Sequence, residues 1–120
     1  MPTDWSDDIV VSNLTDEPAL SDELQAIVER VQFTRGRTPS IVLDFAQVTY
    51  LNSSNLAQLL RLRQLLQERD ADMRLCSLCD EIRSIFMVTG LERVFRFAPD
   101  ALTALAGLQL ERQSGKGQRP

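Results

Sequence analysis

Short β-branched runs alternate with longer stretches of helical periodicity along most of this chain, and that alternation restricts the fold more than any other feature. Ile9-Val10-Val11 with Leu14 is the first run, Ile41-Val42-Leu43-Asp44-Phe45 the second, Met73 to Leu78 the third and Val94 to Phe97 the last. Leu20, Leu24, Ile27, Val28 and Val31 recur at helical spacing up to Thr34, with Ser21 placed as an N-cap and Asp22 and Glu23 suited to the positive end of the helix. A second helix is expected from the polar knot Asn52-Ser53-Ser54-Asn55, four strong capping types, to Arg69. Ile82, Ile85, Phe86 and Thr89 form the inner face of a third, opened by Asp80 and stopped by Gly90. Leu102, Leu105 and Leu108 mark a fourth after Pro99-Asp100. Strands that alternate with helices need crossover connections. The predicted class is therefore α/β: one domain with a largely parallel sheet of about four strands, packed by about four helices.

The domain is expected over residues 9–110, after an acidic N-terminal extension (1–8) and before a disordered tail (111–120) that lacks large apolar residues. With 120 residues, 43% of them apolar, the chain can bury a core without disulfides or structural metal. Thirteen basic against seventeen acidic residues leave a net charge of -4 and a pI near 4.8, which disfavours a nucleic-acid binder. The start of the chain is acidic rather than basic and apolar, and no run is long enough to span a bilayer, so a cytoplasmic protein without membrane insertion is expected.

Candidate chemistry is sparse. The chain has no His, which removes the commonest general base and transition-metal ligand, so no catalytic residue and no metal is expected. Cys76 and Cys79 have the spacing of a dithiol or half a zinc site, but no third Cys or His completes a shell, and Cys76 falls within an expected strand. The glycines are scattered and form no phosphate-cradling loop, so no nucleotide cofactor is expected. Ser53 and Ser54 carry more leverage. A hydroxyl at a helix start can cap it, act as a nucleophile or accept a phosphoryl group. Nucleophilic use would have only Lys116 or a carboxylate as base. A phosphate there would meet free amides and the positive end of the helix while adding charge to a contact surface.

The stretch from Ile41 to Leu56, the Leu- and Arg-rich helix after it, Met73 to Leu78 and Thr89-Gly-Leu-Glu-Arg-Val-Phe95 together resemble the STAS domains of the anti-sigma factor antagonist family, over about Ile9 to Leu108. The resemblance implies a non-catalytic regulatory module whose partner is a Ser/Thr kinase that is also an anti-sigma factor, or a related regulator. It implies Ser54 as the phosphoacceptor, with Ser53 as the alternative. Partner contacts are expected from Asn52, Ser53, Ser54, Asn55, Gln58, Arg61 and Leu62, with Leu65 also beyond what one core stripe requires. Asn52 and Asn55 stand where the family has Asp and Gly, and one strand precedes the first helix where the family usually has two. Asp16 or Glu17 lies near a family acid in the loop before that helix. The alternative reading is a constitutive scaffold or accessory subunit, in a stress-signalling complex or in phospholipid transport, without phosphorylation.

Overall fold

The computed structural model describes residues 8–114, with side chains to residue 111. The elements run β1 (Ile9–Thr15), α1 (Ala19–Phe33), β2 (Ser40–Gln47), α2 (Ser53–Glu68), β3 (Met73–Cys76), α3 (Asp80–Thr89), a single 3-10 turn (Leu91–Arg93), β4 (Phe97–Ala98) and α4 (Ala101–Ser114). The strands form one sheet in the order β1-β2-β3-β4, and every neighbouring pair is parallel.

Strand order and chain order coincide, and this has a direct consequence for the layers. Parallel crossovers are right-handed, so three crossovers that all step in one direction place their helices on one face of the sheet. α1, α2 and α3 pack there, over Val10 and Leu14 of β1, Ile41, Leu43 and Phe45 of β2 and Met73 and Leu75 of β3. Phe86 of α3 anchors the far side with edge-on contacts to Phe95 and Phe97, ring centroids 5.6 and 5.3 Å apart. Period-2 alternation sends Val42 and Cys76 to the opposite face, where Ala104 and Leu108 of α4 cover them. The fold class and single-domain architecture expected from the sequence are found.

Several local expectations are corrected. Ser21 is not a cap: Pro18 holds the N-cap position of α1, and the Ser21 amide, inside the first turn, donates to Glu17 Oε1 at 2.9 Å. Cys79, not Asp80, is the N-cap residue of α3, and Thr89 is exposed, its hydroxyl donating to the Ile85 carbonyl at 2.8 Å. β3 stops at Cys76 because Ser77 adopts a left-handed φ of 63°, which no strand accommodates. The last strand begins at Phe97 rather than Val94, since the Val94 and Phe95 amides both bond back to the Leu91 carbonyl.

The tail is also shorter than expected. α4 continues to Ser114, and Glu111 is fastened to the sheet: its carboxylate accepts from Arg74 Nη2 at 2.7 Å and lies 3.5 Å from Arg96 Nη1. Arg74 is itself buried on the α4 face, so its charge requires that partner. Residues 115–120, and all of the expected N-terminal extension but Asp8, lie outside the described residues.

Candidate functional site

The carboxyl ends of parallel strands are where open α/β sheets carry function, and here the loops after β1 and β2 meet. Asp16 and Glu17, adjacent in the first loop, fasten the second. The Asp16 carboxylate accepts from the Thr49 amide and the Thr49 hydroxyl, both at 2.8 Å. Those bonds, the amide first, with a further one from the Tyr50 amide, hold its pKa below the ordinary carboxylate value.

Glu17 gathers the other half of the site. Its carboxylate accepts from the Ser21 hydroxyl, from the Ser21 amide at 2.9 Å, from Asn55 Nδ2 at 3.0 Å and from Asn52 Nδ2 at 3.5 Å. Asn52 and Asn55 cap each other reciprocally: the Asn55 amide donates to Asn52 Oδ1 at 2.8 Å, and the Asn52 amide donates to Asn55 Oδ1 at 3.0 Å. This is a capping box made of two asparagines. Gln58, one turn on, donates from Nε2 to the Ser21 carbonyl at 3.1 Å. The start of α2 is thereby tied to the start of α1.

The tie decides which way each residue of the polar knot faces. Asn52 and Asn55 are three residues apart and turn inward together, while Ser53 and Ser54 between them turn out. Both serines are exposed. Neither their hydroxyls nor their amides have a hydrogen-bond partner among the described residues, as expected for the first two positions of a helix. Ala57, Leu60, Arg61 and Gln64 continue this exposed face along α2, and Tyr50, 64% exposed, stands in the loop just before it.

The contact set expected from the sequence therefore divides. Ser53, Ser54 and Arg61 are at the surface, and Asn52 and Gln58 are half-buried. Asn55 and Leu62 are fully buried, which removes both from any contact surface, and Leu65 is buried with them. Asn55 is held inward by Glu17 and Asn52, and Leu62 shares the core stripe with Leu59 and Leu66. The sequence places Asp16 or Glu17 only near a family acid in the loop before α1; Tyr50 and the bonds from Asn52 and Asn55 to Glu17 are not among its expectations. Their signals were an aromatic beside the polar knot and paired acids before Pro18.

Glu17 makes the site sensitive to acid. The hydrogen bonds from Ser21, then from Asn55, hold its pKa at about 2 against an ordinary 4.5. A carboxylate whose pKa falls on folding contributes stability above its unfolded pKa and loses it as pH drops through the folded value. The melting temperature is expected to decline from about pH 4.5 towards pH 2, and Glu17→Gln should flatten part of that decline in thermal scans across the same range. An unchanged slope in the variant would show that Glu17 is not linked to folding.

The two thiols do not form a pair. Cys76 lies in the α4-side cluster with its Sγ donating to the Leu43 carbonyl, whereas Cys79 packs against the main core with its Sγ donating to the Val48 carbonyl. Burial pushes the Cys76 thiol up to about 11, so it is protonated and unreactive at neutral pH. Among the described residues no cluster of three Cys, Asp or Glu side chains is arranged to hold a metal, and no helix is long and apolar enough to cross a membrane.

A family model for the STAS domain matches residues 14–104. Among solved structures, an anti-sigma-factor antagonist (STAS) domain protein from Planctomyces limnophilus superposes with a TM-score of 0.75 at 16% identity, covering 89% of this chain and 96% of that one. A variant of RsbS from Moorella thermoacetica gives 0.74 at 15% identity, with 93% and 97% covered. A sulfate transporter family protein from Wolinella succinogenes gives 0.74 at 14%, with 89% of each chain covered. No match is found among curated proteins.

Proposed function

The chain belongs to the STAS domain family, and from that premise we propose that it is a non-catalytic regulatory protein that switches partners through phosphorylation of Ser54, with Ser53 as the alternative acceptor. Its partner in this reading is an anti-sigma factor Ser/Thr kinase or a related regulator. The observation that carries the proposal is the opposed orientation within the polar knot: two buried or half-buried asparagines hold the helix start in place while two serines stand exposed on it.

Physical chemistry supports the choice of this position for a switch. A phosphoryl group on Ser54 would sit beside amides that have no partner among the described residues, at the positive end of the α2 dipole. The helix can then take the modification without unwinding. The added charge of nearly two units falls on the surface a partner would cover, next to Tyr50 and in line with Arg61. With the asparagines turned inward, neither adds a competing side chain to that surface.

Incubation with the partner kinase and ATP, followed by mass spectrometry, tests the proposal: phosphate on Ser54 is the expected result. In binding measurements, Ser54→Ala should retain affinity, and Ser54→Asp should weaken it at least about tenfold, or about 1.4 kcal/mol. Equal affinity for the two variants would remove the switch. One observation favours the second reading, a constitutive scaffold: Asn55 fills and rigidifies the place where the family has a bare glycine. A tight complex indifferent to ATP would support that reading instead.

A further inference from the structure

α4 carries apolar side chains on two opposite sides. Ala104 and Leu108 are buried against the sheet, in one cluster with Val42 and Cys76. With about 3.6 residues per turn, the residue that stands half a turn from the midpoint of those two is Ala106, and Leu102 and Leu110 lie one turn before and one turn after it. The outward row is thus Leu102-Ala106-Leu110, about 12 Å long at helical rise. Its alanine is exposed and its leucines are 76% and 65% exposed. A helix that is apolar on both sides is built to have neighbours on both.

The row itself indicates which neighbour fits. No charged residue occurs from Ala101 to Leu110, so a second copy of this chain, for all its net charge of -4, meets no like charge there. The order of the row is the same in both directions: Leu, three residues, Ala, three residues, Leu. A two-fold contact demands that sameness, because residue i must meet j while j meets i. An antiparallel pair of α4 helices crossing at Ala106 satisfies it, with Leu102 of each copy against Leu110 of the other and Ala106 against its own counterpart. Rows of residues spaced by four form ridges, and two such ridges run together at a crossing angle of about -50°. The crossing point is also small. A Cβ at Gly107 would meet nothing within 4 Å, so packing inside the domain does not call for a glycine beside Ala106, whereas close approach of a second helix does.

From this arrangement we propose that the outer face of α4 is a homodimer interface, on which a second copy of this chain lays its own α4 antiparallel with the crossing at Ala106. The antiparallel sense also sets the positive end of each helix beside the negative end of the other. α4 lies across the sheet from α2, so the dimer leaves the exposed serines of both copies uncovered. A dimer of this kind presents two serine loops at once.

Sedimentation equilibrium on the full chain tests the proposal. One helix pair buries less than the roughly 1,200–2,000 Å² of a standard interface, so a monomer–dimer exchange with a Kd of about 10–100 µM is expected, with no larger species. Leu102→Glu and Leu110→Glu should each raise that Kd at least tenfold, since every substitution enters the contact twice. Val88→Glu, at an apolar position of α3 that is 86% exposed, should leave it unchanged. Ala106→Leu distinguishes a defined crossing from a merely adhesive patch: it adds apolar surface, yet it should weaken the dimer because it holds the two helices apart. The altered side chains are all at the surface, and an unshifted melting temperature of the dilute variants would confirm that they fold. A parent chain that stays monomeric up to about 1 mM would overturn the proposal, as would assembly beyond the dimer, tighter association of Ala106→Leu, or equal effects of Val88→Glu and Leu102→Glu. None of these outcomes bears on phosphorylation of Ser54, so the two proposals stand or fall separately.

Discussion

Leu62→Ala is expected to cost about 2–5 kcal/mol of stability, a large share of the roughly 5–15 kcal/mol that a domain of this size possesses. The residue is fully buried, with Leu59, Leu65 and Leu66 beside it on α2 and the α1 side chains and the sheet packed against the same stripe. Removing its branched end leaves a cavity that rigid neighbours on three sides cannot fill. Denaturant titration should show a lowered midpoint with an unchanged slope. Arg61→Ala, one position earlier but exposed, should change stability by no more than about 0.5 kcal/mol. A Leu62→Ala protein as stable as the parent but deficient in partner binding would mean that α2 is rotated from the orientation described here.

Asn55→Asp is the second substitution with a large expected effect, and its direction with pH identifies the cause. The new carboxylate keeps one oxygen for the Asn52 amide, so the cap survives. Its other oxygen replaces the amide that donates to Glu17 Oε2 at 3.0 Å, and it does so at a fully buried position. Two carboxylates that close share a proton rather than ionise together, and the apparent pKa of one of them rises. A group whose pKa is raised on folding contributes stability below its unfolded value and loses it as pH climbs through the folded one. The variant should therefore be less stable near neutral pH by about 1–3 kcal/mol, the cost of an unmet buried polar group, and should recover as the solution is acidified towards pH 4. The parent protein, governed at this site by Glu17, gains nothing from the same acidification. Asn55→Ala separates the two causes: it removes the bond to Glu17, and the bond from the Asn52 amide with it, but introduces no second carboxylate, so it should be destabilised without the recovery. Thermal scans at several pH values would check all three proteins.

These two positions also show what could be read from the sequence and what could not. The strand Ile41 to Phe45 was legible because five consecutive residues mix β-branched, aromatic and apolar character between breakers, and the start of α2 was legible because the polar knot is built of capping types. The direction each knot residue faces was not legible from type alone. Asn52, Ser53, Ser54 and Asn55 are all short and polar, and their separation into inner and outer pairs comes from Glu17, thirty-eight residues before Asn55. Leu62 was misplaced for a related reason. α2 carries leucines around much of its circumference, and only the packing of α1 and the sheet identifies Leu60, 37% exposed, as the one leucine of α2 clearly outside the core.

The ends of elements were harder still. Ser77 and the 3-10 turn displaced the boundaries of β3 and β4 by two or three residues, since both depend on backbone angles that side-chain type predicts poorly. The end of α4 lies in a polar stretch that carries no periodic apolar signal. Glu111 needs no apolar contact when a buried arginine is waiting for it.

The uneven division of labour across the sheet gives the domain a built-in order of failure. Three helices share the shelter of one side, but a lone C-terminal helix roofs the other, gripping through Ala104, Leu108 and a single charged clasp from Glu111 to Arg74. Undocking that helix leaves the larger apolar cluster intact, so it is the expected first step of thermal unfolding. What it bares is a row of strand residues, Val11, Val42 and Cys76, that α4 otherwise covers. Clumping under stress would then begin with a molecule still folded over most of its length, and shortening the chain before Leu108 would bring it on without any heating at all.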